Sequence, residues 1–478
     1  MSCHSDIYFW RQVLVALGDC LHSFGIGFML SFSSVLNPAI LSPNSTDIRV
    51  SAEDASWISA SLGFAGTVGY CFIPFIFQSY GRKTVLIGLN ISVVVGFLIF
   101  YFAKSATALF VGKFFQGIAT CGVTITVIIM AEYSDPKRRG YFTTIKKCTV
   151  ALGSLICHSL YFTWTWRQIS LLACLPFCLS TIDILFWPES PDFLAMKGRY
   201  NECSESHSWL FGDSTKASKN LNDLISAQVR RKDKKKKNAM EIVMRILGKF
   251  VRKDFMMPFI IVTLLTVIIE ASGRYYMMTY IIQIVLEITG DRTLAVYCSI
   301  GADIFTIIAL LISTFVIRLM SRRNILFYFG YTTVALMYII SIIMFLKSRY
   351  SIGSDMPWLT PSVILLNTLV SYIGVTPTCF TIFGEIFPLE HKGTGTFATG
   401  IVFTSLYAVT LKYIPIIMEK LGVEGLFAIF ATCLLISFIF LHFILIETKD
   451  KTLQEIEDEV KGNVTTETLL SQKPNEEI

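Results

Sequence analysis

Twelve stretches of this chain are each about as long as a bilayer core is thick and carry few charges, and that pattern leaves few folds open. They run roughly over 12–36, 56–78, 84–103, 107–130, 142–164, 168–187, 257–284, 294–317, 324–346, 358–384, 394–417 and 424–446. A helix needs about 20 apolar residues to cross the hydrocarbon. Inside lipid, backbone N–H and C=O groups find no partner outside their own segment, so all twelve runs are predicted to be helices. Only 16% of residues are charged and 53% are hydrophobic, whereas a soluble domain carries about a quarter charged residues. The expected fold is therefore an all-α membrane protein. The net charge of +6 does not indicate nucleic-acid binding, because the basic residues cluster in loops, as topology requires. The 12 cysteines lie mostly inside apolar runs and show neither metal-ligand nor secreted-disulfide spacing. No metal or cofactor is expected. The first run is too long for a cleavable signal and lacks a cleavage site, so it reads as a signal anchor.

One polar interruption, from Pro188 to about Lys253, divides the runs six and six. It holds Pro188-Glu189-Ser190-Pro191 and the basic run from Arg230 to Lys237. The even-numbered runs are followed by Arg82-Lys83, Lys137-Arg138-Arg139, this basic loop, Arg322-Arg323 and Lys392. By the positive-inside rule both termini and the central loop are cytosolic. The expected organisation is a first six-helix half (1–187), a cytosolic linker (188–253), a second half (254–446) and a cytosolic tail (447–478). Asn44-Ser45-Thr46 then falls on the outer side as a glycosylation sequon, while Asn90 lies in a span and Asn463 in the tail. Leu221, Leu224 and Ile225, and again Met240, Val243, Met244 and Leu247, recur at helical spacing, which predicts short amphipathic helices. The basic run is either a topology-setting charge block or a contact for anionic lipid. The end of the tail is polar and expected to be disordered.

The halves echo one another. Gly81-Arg82-Lys83 corresponds to Ser321-Arg322-Arg323, Glu132 with Arg139-Gly140 to Glu385 with Lys392-Gly393, and Glu189 to Glu447. The offsets are 240, 253 and 258 residues. A duplicated six-helix unit accounts for this order. Glu132 and Glu385 sit at the ends of spans, within reach of Arg82 and Arg322. Such pairs can act as a latch that shuts the cytosolic face and breaks when the halves rock. The alternative is plain orientation charge, which carboxylates serve poorly.

These marks resemble the sugar porter family of the major facilitator superfamily. Pro188-Glu189-Ser190-Pro191 with Lys197-Gly198-Arg199, Glu132 to Gly140, Glu385-Ile386-Phe387-Pro388 and Glu447-Thr448-Lys449 are similar to that family's elements. Glu53-Asp54-Ala55-Ser56-Trp57-Ile58 looks like its insect trehalose-transporter branch. The resemblance implies a major facilitator fold of two six-helix halves. It implies a plasma-membrane carrier for a small molecule, a hexose, a disaccharide such as trehalose or a polyol, working by facilitative alternating access. It places the cytosolic gate at Arg82, Lys83, Glu132, Arg139, Glu189, Arg322, Arg323, Glu385, Lys392 and Glu447. The substrate pathway would run past Lys147, Ile269, Glu270, Ser272, Gly273, Tyr275, Tyr276, Thr306, Pro377, Phe380, Phe403 and Thr404. The lipid bilayer is the other expected partner, and neither an obligate protein partner nor nucleic acid is implied.

The family's sugar-binding amides are largely replaced. Lys147 stands where a glutamine is usual, Thr306 where an asparagine is, and the span-7 motif reads Ile269-Glu270-Ala271-Ser272-Gly273-Arg274-Tyr275. Ser33 stands where proton-coupled members carry an acid. Two other readings follow: a carrier for a different polar or charged solute, or a non-transporting sugar sensor, against which the short tail counts. No nucleophile–base arrangement points to an enzyme. Lys147 and Glu270 are ionisable groups inside spans, which are rarely accidental. Glu270 either pairs locally with Arg274 or meets Lys147 across the cavity.

Overall fold

The computed structural model describes residues 2–42, 47–232, 253–350, 356–387 and 392–449, with 248, 451 and 455. The sequon at Asn44, the Met240–Leu247 pattern, Lys234 to Lys237, Pro388 and Asn463 lie outside the described residues. Ten of the described helical segments are long and apolar enough to cross a membrane. They are Ser2–Leu41 (span 1), Ala52–Tyr80 (2), Arg82–Phe102 (3), Ala106–Tyr133 (4), Trp166–Leu185 (6), the Lys253–Thr289 pair (7), Arg292–Leu319 (8), Arg322–Tyr350 (9), Leu359–Glu385 (10) and Lys392–Ile444. The last bends at Gly422, whose φ of +70° is left-handed, and so makes two spans, 11 and 12. Pro136–Leu160 is span 5; its lysines and arginines lower its hydropathy, but it packs along span 1. The result is the expected twelve-helix arrangement of two halves.

Apolar side chains face both ways, as lipid allows. Phe443, Leu319 and Phe102 are each at least 71% exposed, while Leu62, Phe177 and Phe427 are fully buried. Lipid is as apolar as leucine, so helices associate through close packing. Spans 1 and 5 touch backbone to backbone: a Cβ added to Gly27 would lie 1.8 Å from the Val150 carbonyl oxygen, and one at Gly153 2.0 Å from that of Phe24.

Between spans 6 and 7 the linker forms three short helices, Pro191–Lys197, Tyr200–Phe211 and Thr215–Lys232. Ser190 caps the first through the Phe193 amide, Pro191 opens it, and Gly198 closes it at φ +80°. Leu221, Leu224 and Ile225 pack on Phe193, Leu194 and Cys203. The Arg11 and Gln12 side chains donate to the Trp209 and Leu210 carbonyls, tying the linker to the start of span 1. The end of the bundle bearing the linker is called the linker face, and the opposite end the far face.

The halves meet through spans 1 and 7, 5 and 8, and 2 and 11. Toward the far face, Lys412 donates to Ser56 (2.9 Å), stacks on Trp57 (4.2 Å) and lies 4.0 Å from Glu53. Arg292 covers Tyr161, and Phe162 meets Tyr297. Deeper, Thr67 bonds Thr404 and Ser405. These contacts close the far face. A Cβ on Gly63 would lie 2.6 Å from the Ala408 nitrogen, so Gly63→Leu should wedge spans 2 and 11 apart at a cost of about 1–3 kcal/mol. A cysteine at Ser61 should then react faster with an impermeant thiol reagent from the far side. Unchanged labelling would show that this contact is not the seal.

Candidate functional site

Two helix breaks border a small cavity of mixed polar and apolar lining between the halves. In span 7 the helix ends at Ala271, Gly273 takes φ +101°, and a new helix starts at Arg274. Ser272 turns its hydroxyl back to the Ile269 carbonyl (3.0 Å). In span 10 a π-helical turn, Ser371–Val375, precedes Pro377. Proline has no N–H for the preceding turn, and such turns widen helices at functional positions. The cavity is lined by Ser272, Gly273 and Arg274 from the first break, Asn367, Ser371 and Tyr372 from around the second, Asp303 and Thr306 from span 8, and His158 from span 5.

His158 and Asp303 join the halves at this cavity. The imidazole Nδ1 lies 2.6 Å from Asp303 Oδ2, and the Ser154 hydroxyl donates to Oδ1 at 2.7 Å. On the other edge Nε2 lies 2.7 Å from Ser34 Oγ. Ser34 Oγ also lies 2.8 Å from the Ser31 carbonyl. The carboxylate accepts from Nδ1, and the pair is buried with each group hydrogen-bonded, the condition under which buried polar pairs persist.

Several sequence-selected residues lie on or near this cavity. Ser272, Gly273 and Thr306 line it. Tyr275 and Phe380 stack with Tyr372 around the Arg274 guanidinium, at 5.0, 5.2 and 5.3 Å. Phe403 meets Tyr275 edge-on at 5.1 Å, and Thr404 bonds Thr67. Ile269 and Pro377 are buried, the former in the core cluster, and Tyr276 stacks on Phe430 within the second half.

Glu270 makes neither of the pairings considered for it as a direct contact, although Arg274 is the charge that acts on it. Its carboxylate is buried without a hydrogen-bond partner and makes no ion pair within 4 Å among the described residues. The reason is the Gly273 break: residues four apart share a face only in a continuous helix, and this one is interrupted between Glu270 and Arg274. Lys147, half-buried on span 5, has Arg274 as the strongest charge acting on it, and not Glu270. The neighbouring Lys146 lies 3.6 Å from Asp19 and donates to Thr126.

At the linker face each half carries the same brace. Arg82 grips Glu132 with two nitrogens (2.8 and 2.6 Å), and Ser190 donates to Glu132 at 2.5 Å. Glu189 accepts from the Arg82 amide, and Lys83 donates to the Trp187 carbonyl. In the second half Arg322 lies 3.6 Å from Glu385, Thr448 donates to Glu385 (2.6 Å), and Glu447 accepts from the amides of Arg322 and Arg323. Arg139 donates to the Ala131 carbonyl (2.6 Å), and Lys392 opens span 11. Every one of these bonds stays inside its own half. In this structure the pairs therefore do not latch the halves together. They brace helix ends, because the Glu189 and Glu447 strands fold back onto their own bundle. Burial pushes the Glu447 carboxyl up, but the backbone N–H groups of Lys449, Arg323 and Arg322 together hold it below the usual value. That stabilisation is present above the ordinary carboxylate range and is lost as pH falls through the depressed value.

His158, Asp303, Asn367 and Tyr372 escaped the sequence reading. The available signal was cost: a histidine and an aspartate inside apolar runs are expensive unless partnered. Asp303→Asn and His158→Gln should each lower stability in detergent more than the double change, with a coupling of about 2–3 kcal/mol in a double-mutant cycle. Additive effects would show that the pair does not act as a unit. At the braces, Glu132→Gln strands the buried Arg82 and should lower stability in detergent by about 3 kcal/mol. Glu385→Gln, at a longer and more exposed pair, should cost about 1 kcal/mol. Equal losses would contradict the geometry.

The chain spans about half the length of the first curated relatives it matches. It is 25% identical over 464 residues to the facilitated trehalose transporter Tret1 of Drosophila pseudoobscura pseudoobscura, covering 96% of this chain and 52% of that one. The Tret1 of Polypedilum vanderplanki is 24% identical over 471 residues and is covered to 90%. Among solved structures, the inward open xylose transporter XylE of E. coli superimposes with a TM-score of 0.73 at 14% identity, covering 95% of this chain and 99% of that one. Its partially occluded inward open form gives 0.74 at 12% identity, covering 94% and 100%. The family described as sugar (and other) transporter matches residues 12–460; the chain belongs to this family, on a major facilitator fold.

Proposed function

We propose that this chain carries a sugar, a hexose or a disaccharide such as trehalose, or a related polyol across the plasma membrane by facilitative alternating access. The observation that carries this reading is a cavity of mixed polar and apolar lining between two helical halves that are sealed against each other toward the far face. A carrier of this kind binds between its halves and rocks them about the bound solute. The braces at the linker face support the reading, because halves with internally tied helix ends can move as units. The hydroxyls of Ser272, Thr306 and Tyr372, whose protons go to the Ile269, Ala302 and Arg274 carbonyls, offer acceptors to a polyol, and the Asn367 amide offers a donor and an acceptor, with rings nearby to cover apolar sugar faces.

In this reading the linker face is cytosolic, as the positive-inside pattern requires, and both termini lie there. The working units are 1–187, 188–253, 254–446 and 447–478, with Asn44 glycosylated outside. The curated relatives named as trehalose transporters point the substrate search toward disaccharides. Uptake of labelled trehalose, glucose and a polyol should be measured in a host lacking sugar transporters, with surface expression checked. Saturable, gradient-following uptake of at least one is the expected result. Normal surface expression without uptake of any would overturn the proposal.

A further inference from the structure

We propose that the cavity binds the negatively charged group of its solute, so that the favoured substrate is an acidic sugar bearing a carboxylate. This rests on the sugar reading above and narrows it to a substrate class.

The inference starts from Arg274. Its guanidinium lines the cavity and is framed by Tyr275, Tyr372 and Phe380. Rings hold the planar faces of a guanidinium and leave its N–H edge free for an oxygen acceptor. Nε is buried without a hydrogen-bond partner, and no carboxylate lies within 4 Å among the described residues. A second cation comes from the opposite half. Lys147 is half-buried, and the next residue, Cys148, packs against the buried cluster that contains Tyr372 of the aromatic frame; Arg274 is the strongest charge acting on Lys147.

Asp303 has one oxygen on the His158 ring and the other on Ser154. Glu270 acts on Arg274 electrically, but it makes no ion pair with it within 4 Å and lies outside the cavity lining, so no carboxylate of the described residues sits on the guanidinium edge in the cavity. Two like charges in a poorly solvated gap raise each other's free energy, and a shared anion relieves both. A carboxylate fits the guanidinium fork with two parallel bonds. It would contact the second half through Arg274 and the first half through Lys147, so the bound anion itself would bridge the parts that must rock.

The test is binding to the purified full-length protein in lipid nanodiscs at pH 7, with D-glucuronate, D-glucose and acetate as probes. Glucuronate should bind about tenfold or more tightly than glucose. Arg274→Gln should abolish that preference, so that glucuronate binds no more tightly than glucose. Lys147→Gln, on the other half, is the second variant and should reduce the preference in the same direction. Glucose binding as well as or better than glucuronate overturns this inference and leaves the sugar reading standing. Unchanged glucuronate preference in both variants also overturns it. Arg274-dependent binding of acetate without either sugar supports the anion site and overturns the sugar reading. Binding of none of the three overturns both.

Discussion

A charge inside a membrane must be answered by a nearby partner, and much of the polar architecture here follows from that constraint. Arg82 and Glu132, Arg322 and Glu385, and Lys146 and Asp19 are each answered within one half. Two acid–base pairs between described residues cross from one half to the other: Lys412 with Glu53 near the far face, and His158 with Asp303 at the cavity. The internal pairs make each half a unit. The crossing pairs sit where the units must separate if the far face is to open, so the energy of that step depends on how those four groups are resolvated or re-paired.

Much of the scaffold was legible in the sequence because lipid makes structure local. A run of 20 apolar residues has one solution, and the flanking cations orient it. The repeat was legible too, and the structure carries it down to single atoms: Ser190 bonds Glu132 as Thr448 bonds Glu385. Span 5 is the instructive case, since Lys146 and Lys147 depress its hydropathy, yet Gly27 and Gly153 press it against span 1.

The site was less legible because its contacts are not local. His158 and Asp303 stand 145 positions apart, and neither is flagged by its neighbours in the chain. Glu270 and Arg274 carry the opposite lesson. Their spacing suggests a helical ion pair, but Ser272-Gly273 between them breaks the helix that the spacing assumes. The glycine was visible in the sequence; its φ of +101°, which turns Arg274 toward the cavity side, was not.

The glycine seal between spans 2 and 11 also has an electrical meaning. Gly63 meets the Ala408 backbone closely enough to exclude even a methyl group, so water is absent from that contact. A transmembrane voltage falls mainly across regions that exclude water and ions, and each elementary charge moved through 100 mV changes energy by about 2.3 kcal/mol. In this closed-far-face state the dry layer lies on the far side of the cavity. Opening the far face and closing the linker face would shift that layer past Arg274, Lys147 and anything bound to them. The fixed charges need scarcely move for the field to act on them, because the insulator moves instead.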